Sequence, residues 1–237
     1  MGVVYEYFTY NKTSSRDFLV WISGSGTFDA PERDIESISI PGRNGDLHID
    51  NHRFHNIPIT YPAFITEDFQ KNYNAFKAFM LSQKGYNRLE DSYSPDIYRL
   101  AQFKGAINPQ MAPLNRAGSF DIVFDCDPRR FYKSGEETVP FTAAGQIKNP
   151  SLYDALPLLR AYGTGSFTVN GTSIQVTSAN SYTDIDCESQ EAYKGSTNCN
   201  NNIVLTNGTF PTLKSDLNNI SLSGISRLEI IPRWWTV

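Results

Sequence analysis

The sequence predicts a mainly β protein built in two parts, and three features carry that expectation. Tyrosine and phenylalanine dominate the aromatics, with 13 and 15 copies in 237 residues, and such rings suit a pleated, half-buried surface. Period-two alternation bounded by Gly, Pro and Asn recurs along the chain, whereas helical spacing shows in one segment. A polar, glycine-containing stretch at Lys133 to Glu137 interrupts the pattern, so a domain break is expected near Arg130 to Gly135, dividing 1–133 from 134–237.

The first part opens with alternation over Val3 to Tyr10, a polar connection from Asn11 to Asp17, and an apolar run from Phe18 to Ile22, read as two strands. Gly24-Ser25-Gly26 loosens the chain before Ile35 to Ile49, where two alternating runs flank Pro41-Gly42-Arg43-Asn44-Gly45-Asp46. Asn-Gly supplies the two positive-φ residues of a two-residue type I′ turn. With Asn44-Gly45 as that turn, Arg43 faces Asp46, Ile40 faces Ile49, and one face of the hairpin is buried. Pro41 has no N–H to give, which confines its strand to an edge or marks a bulge there. A free edge is either blunted or used to bind a neighbour.

Phe54 to Tyr61 reads as a short or edge strand, interrupted by Pro58 and stopped by Pro62. A helix follows over about Glu67 to Gln83. Thr66 is its expected cap, Glu67 and Asp68 complement the positive end of its dipole, and Gly85 stops it. Phe69, Tyr73, Phe76 and Met80, with Phe79 beside them, form an aromatic stripe to lay on a sheet. Tyr86 to Ser92 and Ile97 to Phe103 form a hairpin around Ser94-Pro95-Asp96, and Asn108 to Asn115, with Pro109 and Pro113, is a loop. Ser119 to Asp127 turns Phe120, Ile122, Phe124 and Cys126 to one face, and Pro128 is expected to end it.

In the second part Ala143 to Pro150 is loosely patterned. Strands are expected at Leu158 to Tyr162, Gly165 to Val169, Ser173 to Thr177, Tyr182 to Cys187, Ile203 to Thr206, Ile220 to Leu222 and Arg227 to Ile231, with turns at Asn170-Gly171 and Asn207-Gly208. Short strands at this spacing indicate a sandwich.

Several function classes lose support. No window reaches the roughly 18 apolar residues of a membrane-spanning helix, and the first 18 residues lack a basic start with an apolar core, which points to synthesis in a cytoplasm. A net charge of −4 argues against a broad phosphate-gripping surface. Cys126, Cys187 and Cys199 show no zinc spacing, though Cys187 and Cys199 could meet across a hairpin. His48, His52 and His55 lie on strand and loop, where His48 and His52 are roughly 13 Å apart, too far to share one ion. No metal or cofactor is expected. Asp125 and Asp127 share a strand face at roughly 6.6 Å, which keeps an inverting glycosidase as an alternative. Signatures of a nucleophile elbow, a phosphate loop and a zinc protease are absent from the sequence. Trp234, Trp235, Tyr162 and Tyr182 offer a sugar-stacking platform, with Tyr182 and Trp235 its principal residues and a carbohydrate-binding module the first alternative. Arg233 stacked on Trp235 is the structural explanation of the same cluster.

The ordered set IPGRNGDL, the helix ending near Leu81, FDIVFDCDPRRF, NPSLYDALPLLRAYGTGSFTVNG, DIDCESQEAYKG, FPTL and IIPRWWTV resembles the distal tail protein (Dit) family of long, non-contractile-tailed bacteriophages, over nearly the whole chain. The resemblance implies an N-terminal β-sandwich-like domain with one helix and a projecting hairpin, and a C-terminal galectin-like sandwich whose last strand, with Trp234-Trp235, packs back on the first domain. It implies a non-enzymatic hub at the tail tip of the virion: a hexameric ring, single or paired, joined to the tail tube protein and the tip protein. Roughly 100 residues after the boundary leave no room for a long arm, which puts direct capture of receptor-binding proteins in doubt. DNA would pass through the ring without stable binding. Pro41, Gly42, Arg43, Asn44, Gly45 and Asp46 are then the expected contact between copies, since an exposed edge suits the heterologous interface of a ring.

Overall fold

The computed structural model describes residues 5–24, 28–112 and 116–237. The chain divides into two compact units, one reaching Arg130 and one spanning Phe131–Thr236. In the first unit an antiparallel sheet runs in the order Thr13–Ser14, Phe8–Tyr10, Asn87–Asp91, Ile97–Phe103, Gly118–Tyr132, Ile57–Ile65, Trp21–Ile22, and Gln110–Met111 adds to the start of Gly118–Tyr132.

One helix, Phe69–Ser82, buries Phe69, Tyr73, Phe76 and Met80 in the same core as Phe120, Ile122, Phe124 and Cys126 of the long strand. This is the stripe that helical spacing predicts. Phe79 packs at its margin, its ring stacked 5.4 Å from that of Phe18. Buried tyrosines keep their hydroxyls paired: Tyr61 donates to Asp91 Oδ2 at 2.7 Å and Tyr10 to the Ala101 carbonyl at 3.1 Å. Without those acceptors each hydroxyl would pay its desolvation in full.

Several boundaries differ from expectation. The helix starts at Phe69, and neither Thr66 nor an Asp68 side chain caps it; Asp68 is left-handed at φ +47 and makes no capping bond. The Phe69 N–H instead donates to the Arg116 carbonyl at 3.3 Å. Ser15–Phe18 is a 3₁₀ turn closed by Ser14 and Asp17, so Phe18 to Ile22 is a strand only at Trp21–Ile22. Residues 3–4 of the first expected strand, 25–26 of the glycine linker and 113–115 of the proline loop lie outside the described residues.

Ile57–Ile65 is one nine-residue strand despite Pro58 and Pro62. Its pairing explains why. The Pro62 carbonyl accepts from the Ser23 N–H at 2.8 Å, on the side away from Gly118–Tyr132. Proline's missing donor is on that same side, and Pro58, four residues back, shares the orientation. Neither residue therefore removes a bond to the long strand. Pro128 does not end its strand either, because pairing with Ile57–Ile65 stops at Cys126–Ile57.

The second unit is a sandwich. Its six-stranded sheet runs Val139–Phe141, Arg227–Ile231, Leu158–Tyr162, Tyr182–Asp186, Glu191–Lys194, Thr197–Asn198. Its five-stranded sheet runs Gly145–Asn149, Asp216–Ser223, Gly165–Val169, Thr172–Val176, Ile203–Leu205. Leu159, Ala161, Ile185, Leu228 and Ile230 of one sheet meet Phe167, Val169, Ile174, Val176 and Ile220 of the other in a single core. Val169 pairs with Thr172 around Asn170-Gly171, at φ +50 and +83, which is the type I′ turn the dipeptide predicts. Trp234 is buried in this unit's core, and Trp235 packs there too, its ring 4.4 Å from that of Tyr153.

Arg233, left-handed at φ +58, forks onto Asp186 at 2.8 Å through both Nη1 and Nη2, so it is an anchor for the last segment and does not stack on Trp235. The guanidinium holds the Asp186 carboxyl below its ordinary 3.8, against the opposing pull of burial. A carboxyl lowered in this way stabilises the fold above the unfolded value and loses that contribution as pH falls through the lowered one. Arg233→Met is expected to cost about 1–2 kcal/mol at neutral pH, allowing for partial solvent access to the pair. In urea unfolding at several pH values, the gap between variant and parent should narrow as pH falls below 3.8 and close once it has passed the lowered value; a gap that does not narrow over that descent would contradict the assignment.

Candidate functional site

Arg33–Ile38 and Leu47–Phe54 pair as a two-stranded ribbon, and among the described residues neither outer edge has a further partner. The register is Ile38–Leu47, Ser37–His48, Glu36–Ile49 and Ile35–Asp50. It differs from the expected one. Arg43 donates its N–H to the Ile40 carbonyl at 3.1 Å, closing a turn with Pro41 second and Gly42, at φ +82, third. That is type II geometry, to which Pro-Gly is suited. Gly45 has φ +82 while Asn44 is not left-handed, so no type I′ turn forms there. Ile40 accordingly does not face Ile49, nor Arg43 Asp46. Toward the base the second strand carries two extra residues, and His52 takes φ +56.

The register sorts the side chains into two faces. Glu36, Ile38, Leu47 and Ile49 lie on one, with Ile40 just beyond; Ile35, Ser37, His48 and Asp50 lie on the other. No face is buried, contrary to expectation: Ile35, Ile38, Ile40, Leu47 and Ile49 are all 37–46% exposed, and the tip Pro41 to Asp46 is wholly exposed. Polar contacts stiffen the base. Asp34 accepts from Arg53 Nε at 2.6 Å and Asn51 Nδ2 at 3.2 Å, and these bonds hold its carboxyl below the ordinary range. The His52 N–H and the nearby Arg33 do the same for Asp50. Ser37 Oγ lies 2.9 Å from His48 Nδ1 across the ladder.

A stiffened ribbon with open edges and a bare aliphatic strip is what a soluble monomer avoids and what an interface requires. The sequence places the contact on Pro41 to Asp46 and expects Ile40 and Ile49 on a buried face, whereas the exposed strip runs through Ile38, Leu47 and Ile49 beside the tip. Alternation gave the only signal, and it does not say whether a partner face belongs to the same chain.

The other candidates resolve into structural contacts. Asp125 accepts from Asn56 Nδ2 at 3.1 Å and pairs with Lys104, while Asp127 is held by its neighbour Arg129 at 3.0 Å. Each carboxylate of the glycosidase alternative thus has its own cation. His48 and His55 contact Ser37 and Asp34, and no cluster of three metal-ligating side chains occurs among the described residues. Cys126, Cys187 and Cys199 are buried free thiols, and burial pushes the Cys187 thiol up to about 12.

Tyr182 and Trp235 do not form one platform. Tyr182 pairs with Tyr162 at one end of Leu158–Tyr162, whereas Trp235 follows Ile231, which pairs with Leu158 at the other end. Arg160 and Lys194 sit 4.4 and 5.0 Å from the Tyr182 ring centre, and Trp235 is occupied by Tyr153 and by its Nε1 bond to the Asp154 carbonyl at 2.9 Å. Arg160 also forks onto buried Asp184, at 2.6 and 2.9 Å. The cavity beside that pair, lined by Thr138, Leu158, Arg160, Asp184, Glu229 and Ile231, is about 70 Å³, room for a few waters.

No protein-family model and no curated protein sequence matches the chain. Solved structures do. The Dit protein of phage SPP1, described as a hub adsorption apparatus of phages infecting Gram-positive hosts, superposes with a TM-score of 0.76 at 11% identity, over 98% of this chain and 99% of that one. A chain of the phage p2 baseplate, in its activated conformation with Sr, matches with a TM-score of 0.50 at 12% identity and 97% coverage of both. Across both of its units, the chain has the fold of the SPP1 Dit protein.

Proposed function

We propose that this chain is a structural hub of a long-tailed phage's tail tip, carried on the virion and made in the host cytoplasm. Copies associate side by side in a closed, six-fold ring that joins the tail tube to the tip protein. The second unit offers an outer attachment surface for further tail components. The observation that carries the reading is the end-to-end match, in both units, to a protein described as an adsorption hub. The Arg33–Phe54 hairpin supplies a physical means of association.

Magnitudes indicate how the hairpin would act. Covering the exposed parts of Ile38, Ile40, Leu47 and Ile49 contributes about 1 kcal/mol each, while association costs at least 4 kcal/mol. The strip alone roughly breaks even. Backbone pairing along an open edge and the closure of a ring, in which every copy makes two contacts, supply the remainder. No catalytic role is proposed, since each carboxylate of the glycosidase alternative is engaged by its own cation. Net charge −4 suits a conduit that DNA traverses without sticking.

The test is the mass of the purified protein in solution. Native mass spectrometry and light scattering should show a six-fold species growing with concentration. A monomer that persists at high concentration would overturn the ring, and tight DNA binding at moderate salt would overturn the conduit.

A further inference from the structure

We propose that Asn44 is a site of spontaneous deamidation, singled out by the fold among three Asn-Gly pairs, so that the hairpin tip ages chemically before the rest of the chain. In the reaction the Gly45 amide nitrogen attacks Asn44 Cγ. The new C–N bond closes a succinimide, the Cγ–Nδ2 bond breaks, and ammonia leaves with the proton from the attacking nitrogen. Water then opens either carbonyl, giving aspartate or isoaspartate. No partner beyond water is needed.

What the step demands is a free Asn side chain, a free following N–H and a backbone able to bend one onto the other. The three pairs, Asn44-Gly45, Asn170-Gly171 and Asn207-Gly208, meet these demands unequally. Asn170 is held on every side: Nδ2 donates to Asn218 Oδ1 at 2.6 Å and to the Thr212 carbonyl at 3.4 Å, and Oδ1 accepts from the Asn219 N–H at 3.0 Å. It also sits inside a two-residue turn clamped between paired strands. At Asn207 the side chain is exposed, but the attacking N–H is engaged, Gly208 donating to the Leu205 carbonyl at 3.2 Å. Asn44 has neither restraint. Among the described residues its side chain makes no hydrogen bond and the Gly45 N–H has no backbone acceptor, and both residues are exposed in the loop between the two paired strands. A Cβ built at Gly45 meets nothing within 4 Å, so room to bend is present.

The consequence is local. Each event adds a negative charge two residues from Asp46 at the tip, and the isoaspartate product lengthens the backbone there by one carbon. The reaction is that of the isolated chain, in which the tip is uncovered, and does not depend on the proposed ring.

The experiment is a peptide map by mass spectrometry of the full chain, kept monomeric by dilution and incubated at mildly alkaline pH. Asn44 should convert first, Asn207 more slowly, and Asn170 at least about tenfold more slowly than Asn44, because three hydrogen bonds must open there. In urea the ranking should collapse. Conversion of Asn170 as fast as Asn44 in the folded chain would overturn the proposal, as would an unchanged ranking in urea, since neighbouring sequence and not the fold would then set the rates. Asn44→Gln should remove the fastest-forming product and leave the Asn207 signal in place.

Discussion

Leu47→Asp is expected to leave the chain folded and, on the proposed ring, to keep it monomeric at concentrations where the parent should assemble. Leu47 lies across from Ile38 and beside Ile49 on the exposed strip, and it touches neither core of the protein. Its loss therefore costs the isolated chain within about 0.5 kcal/mol, the range of ordinary surface changes. At an interface the same change buries an unpaired carboxylate, and such central positions are worth about 2 kcal/mol or more, roughly thirtyfold in affinity per contact. Because each copy of a ring makes two contacts, the penalty acts twice on every subunit. Chemical denaturation establishes that the variant is folded, and sedimentation reads its mass. A variant that assembles like the parent would remove the strip from the interface; one that fails to fold would show that Leu47 belongs to a core. Ile35→Asp, on the opposite face, tests whether both faces are covered.

The sequence was legible where period and local chemistry agree. The stripe Phe69, Tyr73, Phe76 and Met80 and the strand face Phe120, Ile122, Phe124 and Cys126 both fall where the alternation puts them, because each pattern is repeated four times and one misfit would show. Asn170-Gly171 made its type I′ turn because the strands beside it leave a two-residue gap. Asn44-Gly45 did not, because Pro41-Gly42 competes for the same reversal and no local rule decides between adjacent turn formers. The prolines misled for a related reason. A proline breaks a ladder only if its nitrogen faces a partner strand, and which side Pro58 and Pro62 face depends on a pairing with residues more than 50 positions away, which ends before Pro128. Gly145–Asn149 reads as loosely patterned in sequence because only Ile147 and Asn149 point inward, and Asn149 is buried through its bonds to the Tyr153 and Leu213 carbonyls. The candidate site was the least legible part. Alternating isoleucines specify a face that wants covering and carry no mark of the chain that covers it.

Phe124→Ala should be the most damaging single truncation in the first unit. The ring is fully buried and stands 5.0 Å from Tyr10, 5.6 Å from Phe8, 6.0 Å from Phe103 and 6.1 Å from Tyr61, centre to centre, so four aromatic neighbours from three other strands converge on it. Removing it forfeits the transfer energy of the ring and leaves a cavity that rigid aromatic walls cannot close, about 3–5 kcal/mol by analogy with other core truncations. For a domain of this size the transition should fall by more than about 10 °C. The two units have separate cores, so the loss should concentrate in the first. Trp21 reports on that unit, while Trp234 and Trp235 report on the other, so Trp21→Phe in both backgrounds assigns the fluorescence changes. Val123, the preceding residue, is 45% exposed on the opposite side of the same strand. Val123→Ala should stay within about 0.5 kcal/mol of the parent. Since one step along a strand reverses the face, the contrast between these neighbours tests the register directly: equal losses at Val123 and Phe124 would mean that the alternation does not govern which side of this strand is core.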